Sequence, residues 1–432
     1  MIHVLAQELN SVLAGTSVGF LLSDLGNRMY FPKGIIAQSG EAKKYGKKAN
    51  ATIGVTLQKG KPLMLPAIQE QAPQLQPQQL VAYSPTAGNL ELRTMWQEEM
   101  IQKNPSLATK KFSLPVVVPG LTAGISYLCD LFLSTDDVLL AANPSWDNYA
   151  LITNARRNAE MQQFSMFSDG GFNIKAFKAA MHKEGKKGIV RVLLNFPQNP
   201  SGYSPTTEEA KAICQIIKET AEEGAHVMVW CDDAYFGLNY EDSIEKQSLF
   251  AYLCDIHEHV VAVKIDGPTK EDFVWGFRCG FLTFGGKGLN DEHYEALIKK
   301  LMGCIRSSVS CCATPSQSMM LNAMKNPDIQ TQKKAYRKLL ETRYHAVRDI
   351  IKEYKDNPNL TPLPFNSGYF MSFHCNTMSA ETLRQSLLHD FQIGTIAIDN
   401  ETLRVAFSSL DIEQIRVVYS AIYKAADGLA NA

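Results

Sequence analysis

Between residues 114 and 235 the chain repeats one pattern, and that repeat limits the fold more than any other feature. A continuous apolar run leads into a polar turn carrying Gly, Pro or Asp, and helix-like segments separate the runs. LPVVVPG (114–120) is followed by Ile125, Leu128 and Phe132 on one helical face, and VLLAANP (138–144), GIVRVLLNFPQNP (188–200) and AHVMVWCDDAY (225–235) repeat the theme. Strands without polar alternation need cover on both faces, and strands separated by helices run parallel. One connecting helix carries its own punctuation: a capping box of Thr206 with Glu209, an apolar stripe of Ile213, Ile216 and Ile217, and a stop at Gly224. The expectation is an α/β fold whose large domain is a mostly parallel sheet flanked by helices. In such sheets ligands gather beyond the carboxyl ends of the strands.

With 432 residues the chain exceeds what one hydrophobic core usually serves. After about residue 320 the pattern changes. Tyr336, Leu339, Leu340, Val347, Ile350 and Ile351 mark one long amphipathic helix, and Ile412, Ile415, Val418 and Ile422 mark another. Between them lie the strand-like pieces GYFMSF and TLRVAF. We therefore expect a large domain over residues 61–320 and a smaller α+β domain over 321–432, joined by an N-terminal arm over 1–60. The basic tract KKYGKK (43–48) reads as a solvated arm or helix end, and ATIGVTLQKGKP from Ala51 as a short β-like run leading into the main domain. Residues 66–80, rich in Gln and Pro, read as a loop. Tyr83, Pro85 and Gly88 form a turn before the helix begun by Leu90, Leu92, Met95 and Trp96.

Composition narrows the class of partner. The formal charge of -1 offers no basic field for nucleic acid or an anionic membrane, which leaves a small molecule. No run of about 18 apolar residues occurs, so no membrane span is expected. Glu8 interrupts the apolar N-terminus, which argues against a signal peptide. The nine cysteines form no CxxC pair, as expected of reduced thiols in the cytoplasm, with no zinc or disulfide framework.

The stretch Val263–Gly280 carries the first chemical signal. An apolar lead-in delivers Lys270 into a short segment with Arg278 eight residues on. A lysine can form a Schiff base with an aldehyde, and a nearby arginine can hold the anionic end of the same molecule. Taken singly, both are ordinary surface charges. The same holds for the strand-end residues: Asp232 alone is a turn or cap aspartate, Asn199 before Pro200 is a turn, and Trp146 is core.

Five motifs in order change that reading: NPSWDNY (143–149), NFPQNPSGY (195–203), CDDAY (231–235), KEDFVWGFRCG (270–280) and LRVAF (403–407). From about residue 51 to 410 the chain resembles the fold-type I pyridoxal-phosphate enzymes, and within them the class I aminotransferases related to aspartate and aromatic aminotransferases. The resemblance implies a pyridoxal 5'-phosphate cofactor, with Lys270 as its anchor and as the base that moves the substrate proton. It assigns Asp232 to the ring nitrogen, leaving Asp233 the turn or cap role, and Tyr235 and Asn199 to the ring oxygen. Trp146 would stack on the ring. The phosphate would rest on Leu121 and the Thr122 hydroxyl with Arg278 in support, and Tyr83 would reach it from the neighbouring subunit of a homodimer. Arg404 and Gly54 would receive the substrate carboxylate.

Two positions depart from the pattern. Gly267 stands where a phosphate-binding serine is common, with Thr269 as its partial substitute. Arg306 resembles a second, cross-subunit carboxylate binder, but CCATP replaces the usual Pro-Pro after it. The function implied is transfer of an amino group between an amino acid and a 2-oxo acid by a ping-pong cycle. A carbon-sulfur β-lyase on the same scaffold and a non-catalytic binding or regulatory protein are the alternatives.

Overall fold

The computed structural model describes residues 2–14, 22, 24–28, 34–71 and 74–431. Parts of the N-terminal arm and of the Gln/Pro-rich stretch, residues 1, 15–21, 23, 29–33, 72 and 73, lie outside the described residues. The apolar runs become strands of one seven-stranded sheet: β1 (Val116–Val118), β2 (Val138–Asn143), β3 (Glu160–Ser165), β4 (Ile189–Asn195), β5 (His226–Asp232), β6 (Val260–Asp266) and β7 (Gly280–Gly285). Their order is β1-β7-β6-β5-β4-β2-β3. Only β7 runs antiparallel to its neighbours.

Pleating explains why the runs are apolar throughout. On β4, Val190, Val192 and Leu194 enter one core while Leu193 enters the other, and β5 divides the same way between Val227, Val229 and Cys231 on one side and Trp230 on the other. Helices α1 (Leu90–Lys103), α2 (Leu121–Phe132) and α3 (Thr207–Glu222) follow at the predicted places. The capping box forms as the spacing predicts: Thr206 accepts from the Glu209 amide, and the Glu209 carboxylate accepts from the Thr206 amide at 2.8 Å. α3 covers one face of the sheet, while α2 and α5 (Asp291–Ser308) cover the other, with the one-turn α4 (Pro268–Glu271) between β6 and β7.

Beyond residue 320 the long helices are α6 (Ile329–Glu353) and α7 (Ile412–Ala430). They accompany a four-stranded sheet of β8 (Leu360–Pro362), β9 (Phe370–Cys375), β10 (Ile396–Ala397) and β11 (Thr402–Ala406), ordered β8-β9-β11-β10. The run from Ala51 is not a strand of the large sheet. Ala49–Asn50 pairs in parallel with Ile393–Gly394, and the Ala51 carbonyl accepts from Ala406 at 2.8 Å, so its backbone is satisfied beside β11. Residues 66–80 are less irregular than their composition predicts. They hold one-turn helices at Pro66–Gln69 and Pro77–Leu80, each opening on a proline whose missing amide costs nothing there. Lys43 and Lys44 occupy the last turn of the helix Ile35–Tyr45, where a helix favours cations. Among the described residues no helix is long and apolar enough to cross a membrane.

Candidate active site

The carboxyl ends of β4, β5 and β6 converge on one cavity of about 250 Å³. β5 delivers Asp232 on the same face as Trp230. Its carboxylate accepts from the Ala234 amide at 3.1 Å and from the Tyr149 hydroxyl. Burial raises the pKa of Asp232, and the Tyr149 hydrogen bond and the charge of Lys270 oppose that rise. Tyr149 was not singled out from the sequence. Its position three residues after Trp146 was the available signal, and the two rings now pack edge to face at 5.3 Å.

Asp233 does open a turn, its carbonyl accepting from the Phe236 amide at 3.0 Å, but its side chain has a second task. The pleat turns it to the opposite face, where it pairs with buried Lys264 and accepts from Ser248 at 2.6 Å. Burial lifts its pKa to about 6. A second acid, Asp266, lies 3.3 Å from the same lysine.

Lys270 sits in α4 at the end of β6, its ε-amine 4.8 Å from the centre of the Tyr235 ring. Burial lowers its pKa to about 8, partly offset by Asp232 and reinforced by Arg278. At pH 7 that leaves about a tenth of the amine neutral, against roughly one part in 3,000 for an ordinary lysine. The cavity therefore holds an amine that burial has made easier to deprotonate.

An anion cradle lies beside it. Gly120, with φ +90°, opens α2 without a side-chain cap, leaving the first-turn amides of Leu121 and Thr122 to a ligand. A Cβ on Gly120 would collide with the Arg278 guanidinium. Thr269 places a fully buried hydroxyl oxygen against the cavity with no hydrogen-bond partner. Gly267 is closed to any side chain, since its Cβ would fall 2.9 Å from the Gly280 Cα and 3.0 Å from the Cys279 carbonyl oxygen. Gly267→Ser, which restores the residue common in the resemblance, should therefore weaken phosphate binding and cost about 1–3 kcal/mol of stability. Urea melts and a pyridoxal-phosphate titration check this, and tighter binding would refute it.

Across the cavity stands Arg404, on β11. Its guanidinium donates to the Asn199 side-chain oxygen at 2.8 Å and to the Thr52 carbonyl at 3.0 Å, and lies 4.3 Å from the Phe370 ring centre. It is 2% exposed and its Nε has no partner, and the charge of Asp147 partly offsets the effect of its burial. Burial pulls its pKa down to about 10. Gly54 keeps the approach open: a Cβ there would lie 3.1 Å from the Phe370 ring. Asn195 braces this side, donating to the Asp232 carbonyl at 2.8 Å and accepting from the Asn199 amide at 2.9 Å.

Leu121, Thr122, Trp146, Asn199, Asp232 and Tyr235 thus line one cavity, together with Thr269, Lys270, Arg278, Arg404 and Gly54. Val55, Ile125, Tyr149, Asn195, Trp275 and Phe370 line it too and were not anticipated. Tyr83 and Arg306 do not join it. Tyr83 is 91% exposed, and Arg306 donates to the Ser310 hydroxyl at 2.5 Å on the outer end of α5. A larger groove of about 420 Å³ lies at the amino ends of the same strands, but its arginines already face acids, Arg157 with Asp130 at 3.4 Å and Arg191 with Asp137 at 3.2 Å. The buried amine with the lowered pKa and the orphaned Thr269 hydroxyl are at the carboxyl ends.

Residues 47–422 match the family model described as aminotransferase class I and II. The chain is 26% identical over 281 residues to the probable N-acetyl-LL-diaminopimelate aminotransferase of Bacillus subtilis, covering 63% of this chain and 64% of that protein. It is 24% identical over 274 residues to an L-tyrosine:2-oxoglutarate aminotransferase of Aspergillus ustus, covering 59% of this chain and 51% of that protein. The chain thus spans less than two thirds of these curated relatives. In fold it is similar to an aminotransferase of Anaerococcus prevotii, with a TM-score of 0.83 and 22% identity over 94% of this chain and 99% of that one. It is also similar to a multiple substrate aminotransferase of Thermococcus profundus, with a TM-score of 0.79 and 16% identity over 95% and 98% of the two chains.

Proposed function

The chain belongs to the aminotransferase class I and II family, and from that premise we propose that it moves an amino group between an amino acid and a 2-oxo acid with pyridoxal phosphate as cofactor. The observation that carries this reading is Arg404: a buried guanidinium with an unsatisfied Nε, across one cavity from a lysine whose pKa burial lowers. A buried cation with an unsatisfied donor suits an anionic ligand. A substrate carboxylate has the matching fork geometry.

The residues present fit the cofactor. The partnerless Thr269 hydroxyl and the glycine-lined opening of α2 suit its phosphate, Asp232 its ring nitrogen, and Lys270 its aldehyde. When bound, pyridoxal phosphate supplies an aldehyde that condenses with amines and a ring that takes up the electrons freed when the substrate Cα–H bond breaks. Asp232 would hold its negative charge opposite the ring nitrogen, steadied by Tyr149. Lys270 would carry the proton on its Nζ, and a pKa near 8 lets that nitrogen both take and return it at neutral pH. Arg404 and Asn199 would orient the α-carboxylate, Tyr235 would hydrogen-bond the ring oxygen, and Trp146 would stack on the ring.

The same reading makes the protein a homodimer of shared sites in the cytoplasm, with residues 61–320 holding the cofactor and 321–432 and 1–60 closing over it. Support comes from Tyr83 and Val81, which are 91% and 83% exposed and so open to a second subunit, and from nine free cysteines among the described residues. Arg306 would reach a side-chain carboxylate across that interface.

The test is an amino-acid panel, each offered singly to the yellow protein. Conversion to the pyridoxamine form is the expected result. Pyruvate and ammonia released without a 2-oxo acid acceptor would replace this reading with a lyase, and a protein that stays colourless with added cofactor would end both. In the same panel Arg306→Ala should weaken aspartate and glutamate far more than neutral amino acids, and equal losses would remove its role.

A further inference from the structure

The segment that carries Lys270 has little structure of its own. α4 is four residues long, a single turn, and a lone turn does not hold its shape unaided. It is followed by two non-glycine residues in the left-handed region, Phe273 at φ 59° and Arg278 at φ 49°. Such a backbone persists only where its surroundings over-determine it.

Those surroundings are charged. Glu271 and Asp272, the two residues after Lys270, each meet a lysine from a different helix. Lys103, at the end of α1, lies 2.7 Å from Glu271, and Lys333, in the first turns of α6, lies 2.5 Å from Asp272. Glu99 ties the two lysines together at 2.6 and 3.0 Å. The group is largely buried: side-chain exposure is 2% for Asp272, 10% for Lys333 and 12% for Glu99. Burial would raise the Glu99 carboxyl, yet its two lysines hold it down to about 2, so the bridging acid is ionised. One turn further along α6, the Tyr336 ring meets Phe273 edge to face at 5.2 Å. The Tyr369 hydroxyl donates to the Lys270 carbonyl at 2.9 Å.

We propose that Lys103 and Lys333 are positioning residues for Lys270: from α1 and α6 they grip Glu271 and Asp272, and so fix where the reactive amine points. Neither lysine touches the cavity. Their effect passes through the backbone of α4, which cannot shift or unwind without pulling buried carboxylates from their cations. With the clamp in place the Lys270 amine stays among Asp232, Arg278 and Tyr235, the groups that face it. Without it, α4 relaxes and the amine gains water.

The proposal rests on Lys270 being the cofactor lysine, and the test separates the two. Full-length protein freed of cofactor is labelled with pyridoxal and cyanoborohydride across a pH series, and the share on Lys270 is read by peptide mass spectrometry. Two variants that break the clamp, and one that keeps its charge, are compared with the wild type. Lys103→Met removes a lysine whose partner Glu271 keeps some solvent, and Asp272→Asn with Lys333→Met removes both charges of the deepest pair, leaving no unpaired ion to unfold the chain. In both, the Lys270 midpoint should rise by about one pH unit towards that of an ordinary lysine. Lys333→Arg, which keeps the cation, should retain the wild-type midpoint. A network that only stabilises the fold would lower the melting temperature and leave the midpoint unmoved. A low wild-type midpoint that both variants keep would overturn the clamp alone. A wild-type midpoint near that of an ordinary lysine would overturn the clamp together with the reading of Lys270.

Discussion

Lys270→Ala should leave the protein colourless in pyridoxal phosphate and slow amino transfer by about four orders of magnitude, the upper end for loss of a positioned proton carrier. The upper end applies because one amine both anchors the cofactor and moves the proton. Visible absorption of the loaded protein and single-turnover rates measure the two losses separately, and a variant that keeps its colour would remove Lys270 from the centre of the site. The same variant tests the burial. The Lys270 pKa falls from 10.5 to about 8 in the folded chain. Between those values the unfolded chain keeps a proton that the folded chain releases, so stability rises with pH across that window. The stability of wild type relative to Lys270→Ala should therefore improve by up to about 3 kcal/mol between pH 7 and 10.5. Urea unfolding at the two pH values reads this, and the absence of any slope would mean the amine is solvated.

Arg404→Met should reduce kcat/KM for amino acids by about 30- to 5,000-fold, the equivalent of roughly 2–5 kcal/mol for one partner of a buried charge pair. Cofactor binding should stay intact, because Arg404 faces the substrate side of the cavity. An equal loss of cofactor affinity would relocate the arginine to the phosphate. Its effect on folding should be smaller than that of a usual core substitution. Burial lowers the Arg404 pKa from 12.5 to about 10, an unfavourable burial of about 3 kcal/mol that is present in full at neutral pH. Methionine removes that cost but strands the Asn199 side-chain oxygen and the Thr52 carbonyl, each a loss of about 1–3 kcal/mol. The two nearly offset, so thermal melts should find the variant close to wild type while its activity is gone.

Much of the site was legible because its chemistry rests on local signals. A lysine after a buried strand, an aspartate at the end of another and a glycine opening a helix are each placed by a βα unit whose period is visible in the text. Residues that act through space were harder to find. Tyr149 was missed because a tyrosine on a short helix reads as core until Asp232 is known to face it. Asp233 was given no more than a turn because only strand pleating shows that its side chain points away from Asp232, towards Lys264, whose place in an apolar run gave no sign of a buried ion pair. The one-turn helices at Pro66 and Pro77 were hidden by a Gln/Pro composition typical of loops.

The sequence by itself determined the alternation of strands and helices, the two kinds of core and the identity of most cavity-lining side chains, because each of these follows from periodicity or from residue type at a strand end. Tertiary structure alone decided which charges meet. Lys103, Glu271, Asp272 and Lys333 lie up to 230 positions apart, and nothing in local spacing marks them as one buried group. An ion pair depends on distance and burial together, and both are set only when α1, α4 and α6 pack.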